Sequence, residues 1–306
     1  MQTASRCRAR LRAAAIALVQ TLLLPAPHAH AAEIISVLDD TGARVTLNHP
    51  ARRIVSIAPH LTEQLFAIGA GEHIVATTEY ADYPAAAQRL PRVARAHHVD
   101  LEQITALRPD LIVIWGSGFP ITVQAALKRL NVPLFVSEPR HLDDIADSML
   151  RLGVLTAAPQ AQAAASAFSQ RLAQLRATYS QRKPLKVFYQ VWPQPLMTLS
   201  GAHVVSEALT LCGGVNVFAP LAPLVPHISE EAVVLANPDV LMTAEAGGKA
   251  SATLEHWQQW PRLNAVQQDA LITLNADYIN RHGPRILDGV EQMCQLLDKV
   301  RSRTKR

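Results

Sequence analysis

The chain has 306 residues, of which 49% are hydrophobic and 18% charged, with three cysteines and a formal net charge of +4. This length is enough for two domains of ordinary size, and the composition excludes a disordered protein, a collagen and a small disulfide scaffold. Residues 1–31 hold four of the 29 basic residues and none of the 25 acidic ones, so the chain without them carries no net charge. A nucleic-acid partner, which requires a concentrated basic face, is therefore not expected.

Residues 1–31 have the pattern of a secretory signal peptide. Four arginines lie within residues 6–12, an apolar run spans 13–24, and residues 29–31 read Ala-His-Ala, a site that signal peptidase accepts. The apolar run is shorter than the ~20 residues that cross a bilayer. Cys7 precedes this run, which disfavours a lipoprotein anchor. We therefore expect a cleaved signal and an exported mature protein.

The residues that follow alternate between apolar runs and helical patterns. Strands are predicted at 54–57, 74–77, 111–115 and 134–136, and helices at 62–68, 101–107, 121–130 and 142–152. Thr62 is the expected N-cap of the first helix, which ends at Gly69. Continuous apolar strands separated by helices are typical of a parallel sheet covered on both faces. The pattern predicts a first α/β lobe over residues 32–154.

The second half of the chain repeats this arrangement. Strands are predicted at 186–191, 240–243 and 271–274, and helices at 204–211, 231–236 and 284–300. They indicate a second α/β lobe over residues 184–300, followed by a basic tail over 301–306. Residues 159–181 have no internal Gly or Pro and predict a helix inside a connector that spans 155–183. The predicted fold is therefore α/β, with two Rossmann-like lobes of parallel sheet joined by one long rigid helix.

An internal repeat supports the relation between the two lobes. Glu102 and Glu231 are each followed by a helical stretch, by Pro-Asp seven and eight residues later, and then by an apolar strand. The offset of 129 residues is about the length of one lobe, which predicts equivalent positions for the two glutamates. A glutamate favours a helix N-terminus electrostatically. Two exposed carboxylates, one in each lobe, would also match a two-fold symmetric partner with basic pockets.

Two cysteines, Cys212 and Cys294, remain after the signal peptide is removed. In an exported chain a disulfide between them is the favoured expectation, and two buried free thiols are the alternative.

Five segments carry a resemblance to a known family: RIVSIAPHLTE at 53–63, YADYP at 80–84, LE at 101–102, PDLIVIW at 109–115 and CGGVNVF at 212–218. They resemble periplasmic substrate-binding proteins of the helical-backbone class, most closely those that bind cobalamin for a vitamin-uptake ABC importer. The resemblance covers residues 52–300. It implies a monomeric periplasmic binding protein, not an enzyme, whose ligand lies in the cleft between the lobes. It also implies a Cys212–Cys294 disulfide, and Glu102 and Glu231 docked into arginine pockets of an inner-membrane permease dimer.

The resemblance also implies which residues contact the ligand. The matching positions are Tyr80 or Tyr83, Trp115, Asp277 and Arg281, and Trp192 is a further candidate by its placement after a strand. Aromatic walls with a few polar groups suit a broad corrin ring that carries amide arms at its rim. Cobalamin is thus expected as the transported ligand, with no cofactor and no metal site.

Two segments depart from the cobalamin binders. Where those proteins carry aromatic residues, this chain has Arg-Ala-His-His at 95–98 and Leu-Val-Pro-His at 224–227. His97, His98 and His227 lack the spacing of a metal motif, although they leave a metal-ion receptor open.

Two further hypotheses remain open at this point. In a receptor for haem or a ferric siderophore, Tyr80, Tyr83 and Arg281 would hold an anionic iron complex. A secreted hydrolase is disfavoured, because the chain has no G-x-S-x-G and residues 116–118 lack the spacing of a nucleophile elbow.

Overall fold

A computed structural model describes residues 34–95, 98–179, 181–249 and 252–303, all within one compact unit. The predicted signal peptide and its cleavage site lie outside these residues. Within the described ranges no helix is both long and apolar enough to span a membrane.

The first lobe is built on a parallel sheet. Its strands are β1 Ile35–Leu38, β2 Arg44–Leu47, β3 Ile54–Ile57, β4 Ile74–Thr78, β5 Arg92–Arg95, β6 His98–Val99, β7 Leu111–Trp115 and β8 Leu134–Ser137. Its helices are α1 Pro59–Ala67, α2 Leu101–Ala106, α3 Ile121–Lys128 and α4 Leu142–Thr156. Strands β1 and β2 form an antiparallel hairpin, and the others form one sheet in the order β6-β5-β4-β3-β7-β8. Only the short β6 at its edge runs antiparallel to its neighbour.

The second lobe follows helix α5, Ala161–Tyr179. Its strands are β9 Leu185–Tyr189, β10 Trp192–Pro193, β11 Leu196–Met197, β12 Gly214–Asn216, β13 Val240–Glu245 and β14 Leu271–Asn275. Its helices are α6 Val204–Leu211, α7 Glu230–Ala236, α8 Ala252–Glu255, α9 Asn264–Gln267, α10 Ala276–Ile279 and α11 Ile286–Arg303. Strands β10 and β11 form a small hairpin, and the rest form a parallel sheet in the order β12-β9-β13-β14.

The two sheets share a connectivity. In each, the first strand (β3 or β9) has β4 or β12 on one side and β7 or β13 on the other, and β8 or β14 lies beyond β7 or β13. The first sheet has two additional strands, β5 and β6, beyond β4. The α/β fold with parallel sheets that the sequence predicts is confirmed. One cluster of buried apolar side chains includes Leu111 of the first lobe, Leu172 of α5 and Leu185 of the second lobe, so the core runs through both lobes.

The Pro-Asp repeat has the same structural role in both lobes. The Asp110 carboxylate accepts hydrogen bonds from the Arg52 and Arg53 amides at 2.8 and 3.0 Å, just before β3. The Asp239 carboxylate accepts one from the Lys186 amide at 2.9 Å, at the start of β9. Each aspartate therefore ties the start of β7 or β13 to the start of the neighbouring strand, β3 or β9.

The observed helices differ from the predicted ones at several ends. Helix α1 begins at Pro59, with its ring at the favoured first position, so Thr62 is not the cap. The Thr62 hydroxyl instead lies buried between the hydroxyls of Ser56 and Thr77, at 2.9 and 2.8 Å. Helix α5 has 19 residues, shorter than the predicted 23, and packs along α4. Because α4 continues to Thr156, the predicted limit of the first lobe at residue 154 falls inside that helix.

The last helix extends beyond its predicted end at residue 300. Helix α11 continues to Arg303, and Arg301, placed in the predicted tail, is buried. Its guanidinium donates to the carbonyl oxygens of Cys212 and Lys183, both at 2.7 Å. These bonds anchor the end of the helix.

The Cys212–Cys294 disulfide, with 4.7 Å between the Cα atoms, joins α11 to the end of α6 and confirms the predicted pairing.

Candidate ligand-binding cleft

The predicted ligand residues of the first lobe follow the carboxyl ends of its strands, which is the edge where open parallel sheets bind ligands. Tyr80 and Tyr83 lie after β4 and are exposed, Tyr80 to 57%. Trp115 is the last residue of β7 and is half-buried. Gly118 lies against the Trp115 indole so closely that a Cβ atom there would come within 2.6 Å of the ring. Only glycine leaves room for the indole in this position.

The predicted residues of the second lobe also follow carboxyl ends of strands. Trp192 begins the hairpin after β9 and is 58% exposed, with its indole nitrogen donating to the Gln194 carbonyl at 3.0 Å. Asp277 lies in the first turn of α10, directly after β14, and Arg281 follows that helix. Aromatic side chains are thus exposed at the strand ends of both sheets.

Arg281 joins the two lobes through three carboxylates. From the first lobe, Glu63 accepts at 3.1 Å and Asp82 at 2.5 and 3.2 Å, and from the second lobe Asp277 accepts at 3.0 Å. The hydrogen bond from Arg281 lowers the pKa of Asp82 below its usual value. The guanidinium is therefore already neutralised within the protein.

Arg285 makes a second connection between the lobes. Its guanidinium donates to both carboxylate oxygens of Glu63, at 2.9 and 2.6 Å, and lies over the Tyr83 ring at 3.9 Å from the centroid. The Glu63 side chain is only 2% exposed, so this bidentate pair is shielded from solvent. We call Glu63, Asp82, Asp277, Arg281 and Arg285 the inter-lobe ion cluster. Its two guanidiniums face three carboxylates, which leaves no excess positive charge.

No role for Glu63 or Arg285 was predicted from the sequence. A weak signal was present: Glu63 lies between Leu61 and Leu65, two buried positions of α1. An acidic residue on an apolar helix face requires a cationic partner. That partner, however, follows 222 residues later in the sequence.

Four aromatic rings pack together where the lobes meet. His60 and Trp115 of the first lobe lie 5.6 Å apart between ring centroids. His282 of the second lobe lies 5.4 Å from Trp115 and 5.9 Å from His60, and 5.5 Å from His203 of its own lobe. We call these four residues the ring cluster. No role for its three histidines was predicted from the sequence.

The histidines of the ring cluster are uncharged at neutral pH. Burial, followed by the charge of Arg281, lowers the pKa of His60 to about 3. Burial, followed by the charge of Arg140, lowers the pKa of His203 to about 4. The pKa of His282 is also well below its usual value, mainly through burial. Neutral imidazoles can pack against one another and against an indole without the cost of a buried charge.

The histidines that the sequence analysis considered lie apart from this cluster. His98 and His227 are exposed, on β6 and beside β11 respectively, and His97 lies outside the described residues. Among the described side chains, no group of three or more His, Cys, Asp or Glu is arranged to hold a metal ion.

Glu102 and Glu231 occupy matching exposed positions. Each is the second residue of its helix, α2 or α7. The helix N-caps are Asp100, which accepts from the Gln103 amide, and Ser229, which accepts from the Ala232 amide. Hydrogen bonds from its own amide and from the Ser229 side chain lower the pKa of Glu231. The repeat seen in the sequence therefore places one exposed carboxylate at an equivalent helix start in each lobe.

The profile of the periplasmic binding protein family matches residues 54–278. The chain belongs to this family, whose members bind ligands rather than transform them, and the resemblance found in the sequence is confirmed. The vitamin B12-binding protein of Vibrio cholerae is 43% identical over 250 residues, which cover 81% of this chain and 90% of that protein.

Two of the solved structures that resemble the chain along most of its length are the following. The periplasmic vitamin B12-binding protein BtuF of Vibrio cholerae has a TM-score of 0.75 and 41% identity, covering 82% of this chain and 98% of that one. The periplasmic heme-binding protein RhuT from Roseiflexus sp. RS-1 has a TM-score of 0.72 but only 23% identity, covering 82% and 99%. The second likeness shows the fold alone.

Proposed function

We propose that this protein is exported to the periplasm by a signal peptide cleaved after residue 31, captures cobalamin or a closely related corrinoid between its lobes, and delivers it to an inner-membrane ABC importer. The relatives named as vitamin B12-binding proteins support the ligand. The exposed aromatic side chains Tyr80, Tyr83 and Trp192 support a cleft that takes a broad, largely apolar ring.

The charge balance of the inter-lobe ion cluster favours this proposal over the alternative, a receptor for an anionic iron complex. A haem propionate or an acidic siderophore requires a cation that is free to pair with it. Arg281, the residue expected to supply that cation, is held by Glu63, Asp82 and Asp277. A corrin with uncharged amide arms does not need a free cation, and the polar atoms of Asp82 and Asp277 suit its amide rim.

Binding of cyanocobalamin to the chain without residues 1–31 tests this proposal. We expect one-to-one binding that weakens about tenfold or more in Trp192→Ala, because the variant loses an aromatic wall. Val154→Ala is the matched control, since Val154 is an exposed apolar residue on α4. Equal affinity of both variants and the unchanged protein would place the ligand elsewhere.

Docking is proposed to use Glu102 and Glu231, which would enter arginine pockets of the permease dimer. Charge pairs of this kind mainly steer and align an encounter. In the variant Glu102→Ala/Glu231→Ala we expect unchanged cobalamin affinity and reduced uptake by cells that carry the transporter. Glu72→Ala/Glu255→Ala, which removes two other exposed carboxylates, should leave uptake unchanged. A loss of ligand affinity in the first variant would contradict the assignment of these residues to docking.

A further inference from the structure

Residues of both lobes contact His282. The proposed capture of the ligand assigns no role to this residue. It is 4% exposed. Its ring meets Trp115 edge to face at an interplanar angle of 79°, and His203 at 75°. It also packs against His60 at 41°. A side chain of the second lobe is thus inserted between rings of the first lobe and of its own.

The backbone of the same segment is fixed against helix α1 of the first lobe. The Gln64 side-chain amide donates to the His282 carbonyl oxygen at 3.2 Å. At the next residue, Gly283, a Cβ atom would lie only 3.1 Å from the His60 carbonyl oxygen. This close approach leaves little room for any residue other than glycine, so backbone and ring together form a wedge between the lobes.

Trp115 depends on this wedge for its orientation. Its indole nitrogen is buried and has no hydrogen-bond partner among the described residues. Packing alone therefore fixes the ring: Gly118 lies close on one side, His60 meets it at 87°, and His282 meets it from the opposite lobe. Of these contacts, only the one with His282 also depends on the separation of the lobes.

We propose that His282 is a positioning residue for ligand capture, because its ring fixes both the Trp115 indole at the cleft and the separation of the two lobes. This inference rests on the proposed function, in which Trp115 forms part of the ligand-binding wall. The wedge gives the cleft a fixed width before the ligand binds, and preorganisation of that kind reduces the ordering cost of binding.

The shape of the ring, rather than its chemistry, is what the wedge requires. His282→Ala removes the ring and leaves Trp115 and His203 without their shared neighbour. We expect cyanocobalamin affinity to fall about tenfold or more in this variant. His282→Phe keeps a planar ring that meets Trp115 and His60, and we expect it to retain affinity within about threefold. His49→Ala and His49→Phe serve as matched controls, since His49 is exposed after β2.

A second measurement reads the position of Trp115 without any ligand. The protein has four tryptophans, so labelling with 5-fluorotryptophan gives a fluorine NMR spectrum in which Trp115→Phe identifies one resonance. We expect this resonance to shift and broaden in His282→Ala and to stay near its original position in His282→Phe. Far-UV circular dichroism checks that each variant is folded.

The two readouts separate this inference from the proposed function. If the unchanged protein does not bind cyanocobalamin, the proposed function fails, and the Trp115 resonance alone decides whether His282 fixes the indole. An unchanged resonance and unchanged affinity in His282→Ala would overturn the inference. It would also be overturned if His282→Phe lost as much affinity as His282→Ala, because ring packing would then not be what matters.

Discussion

Replacing Glu63 by alanine is expected to reduce the free energy of unfolding by about 3–5 kcal/mol, the usual cost of removing one partner from a buried ion pair. The Glu63 carboxylate is almost fully buried and accepts hydrogen bonds from both Arg281 and Arg285. Without it, two guanidiniums that are themselves mostly buried lose a partner that water cannot replace at the same site. The cost comes mainly from Arg285, whose mostly buried charge loses the carboxylate it pairs with, whereas Arg281 keeps Asp82 and Asp277.

Urea denaturation of the chain without residues 1–31 measures this effect. The control is Glu72→Ala, because the Glu72 side chain is 81% exposed and lies 3.9 Å from a ring nitrogen of His73. An exposed pair of this kind contributes at most about 1 kcal/mol. If both variants unfolded at the same urea concentration, the inter-lobe ion cluster would not hold the lobes together as described.

Mild acid is expected to destabilise the protein through the three histidines of the ring cluster. Their pKa values are lowered in the folded state, to about 3 for His60 and about 4 for His203, and also well below normal for His282. Unfolding restores an ordinary pKa near 6.5, so the unfolded chain binds more protons below that pH. The free energy of unfolding is therefore highest above pH 6.5. It falls as the pH decreases from 6.5 towards the pKa values of the histidines in the folded state.

The expected loss of unfolding free energy between pH 6 and pH 5 is about 1 kcal/mol each for His60 and His203, and the lowered pKa of His282 adds to it in the same direction. Denaturation curves at pH 7.5, 6 and 5 measure it. In His282→Phe one of the three contributions is absent, so the dependence on pH should be smaller. Equal stability at pH 7.5 and pH 5 would show that the histidines are not held uncharged by burial.

The sequence predicted the central strands best. Strands β3 and β7 have the predicted bounds because each is a continuous apolar run, buried on both faces of a parallel sheet. The hairpins β1–β2 and β10–β11 were not predicted. Their strands have two to four residues and are partly exposed, so they lack a clear apolar pattern. Thr62 was misread as a cap because a buried threonine that bonds other hydroxyls has the same residue type as an N-cap.

The site was only partly predictable for a different reason. The aromatic candidates came from short segments that resemble a family, and those segments can be recognised locally. Glu63, Arg285 and His282 become meaningful only through contacts between residues more than 200 positions apart. Such contacts depend on how the second lobe folds back onto α1, and no local pattern in the sequence encodes that arrangement.

Calorimetric titration of the mature, disulfide-oxidised protein with cyanocobalamin, with haem titrated in parallel, tests the central claim most directly. The charge balance of the inter-lobe ion cluster and the aromatic side chains of both lobes predict tight one-to-one binding of cyanocobalamin and weak or no binding of haem. Binding of haem without binding of cyanocobalamin would contradict the account, because the cleft would then accept an anionic iron complex although Arg281 is held by three carboxylates.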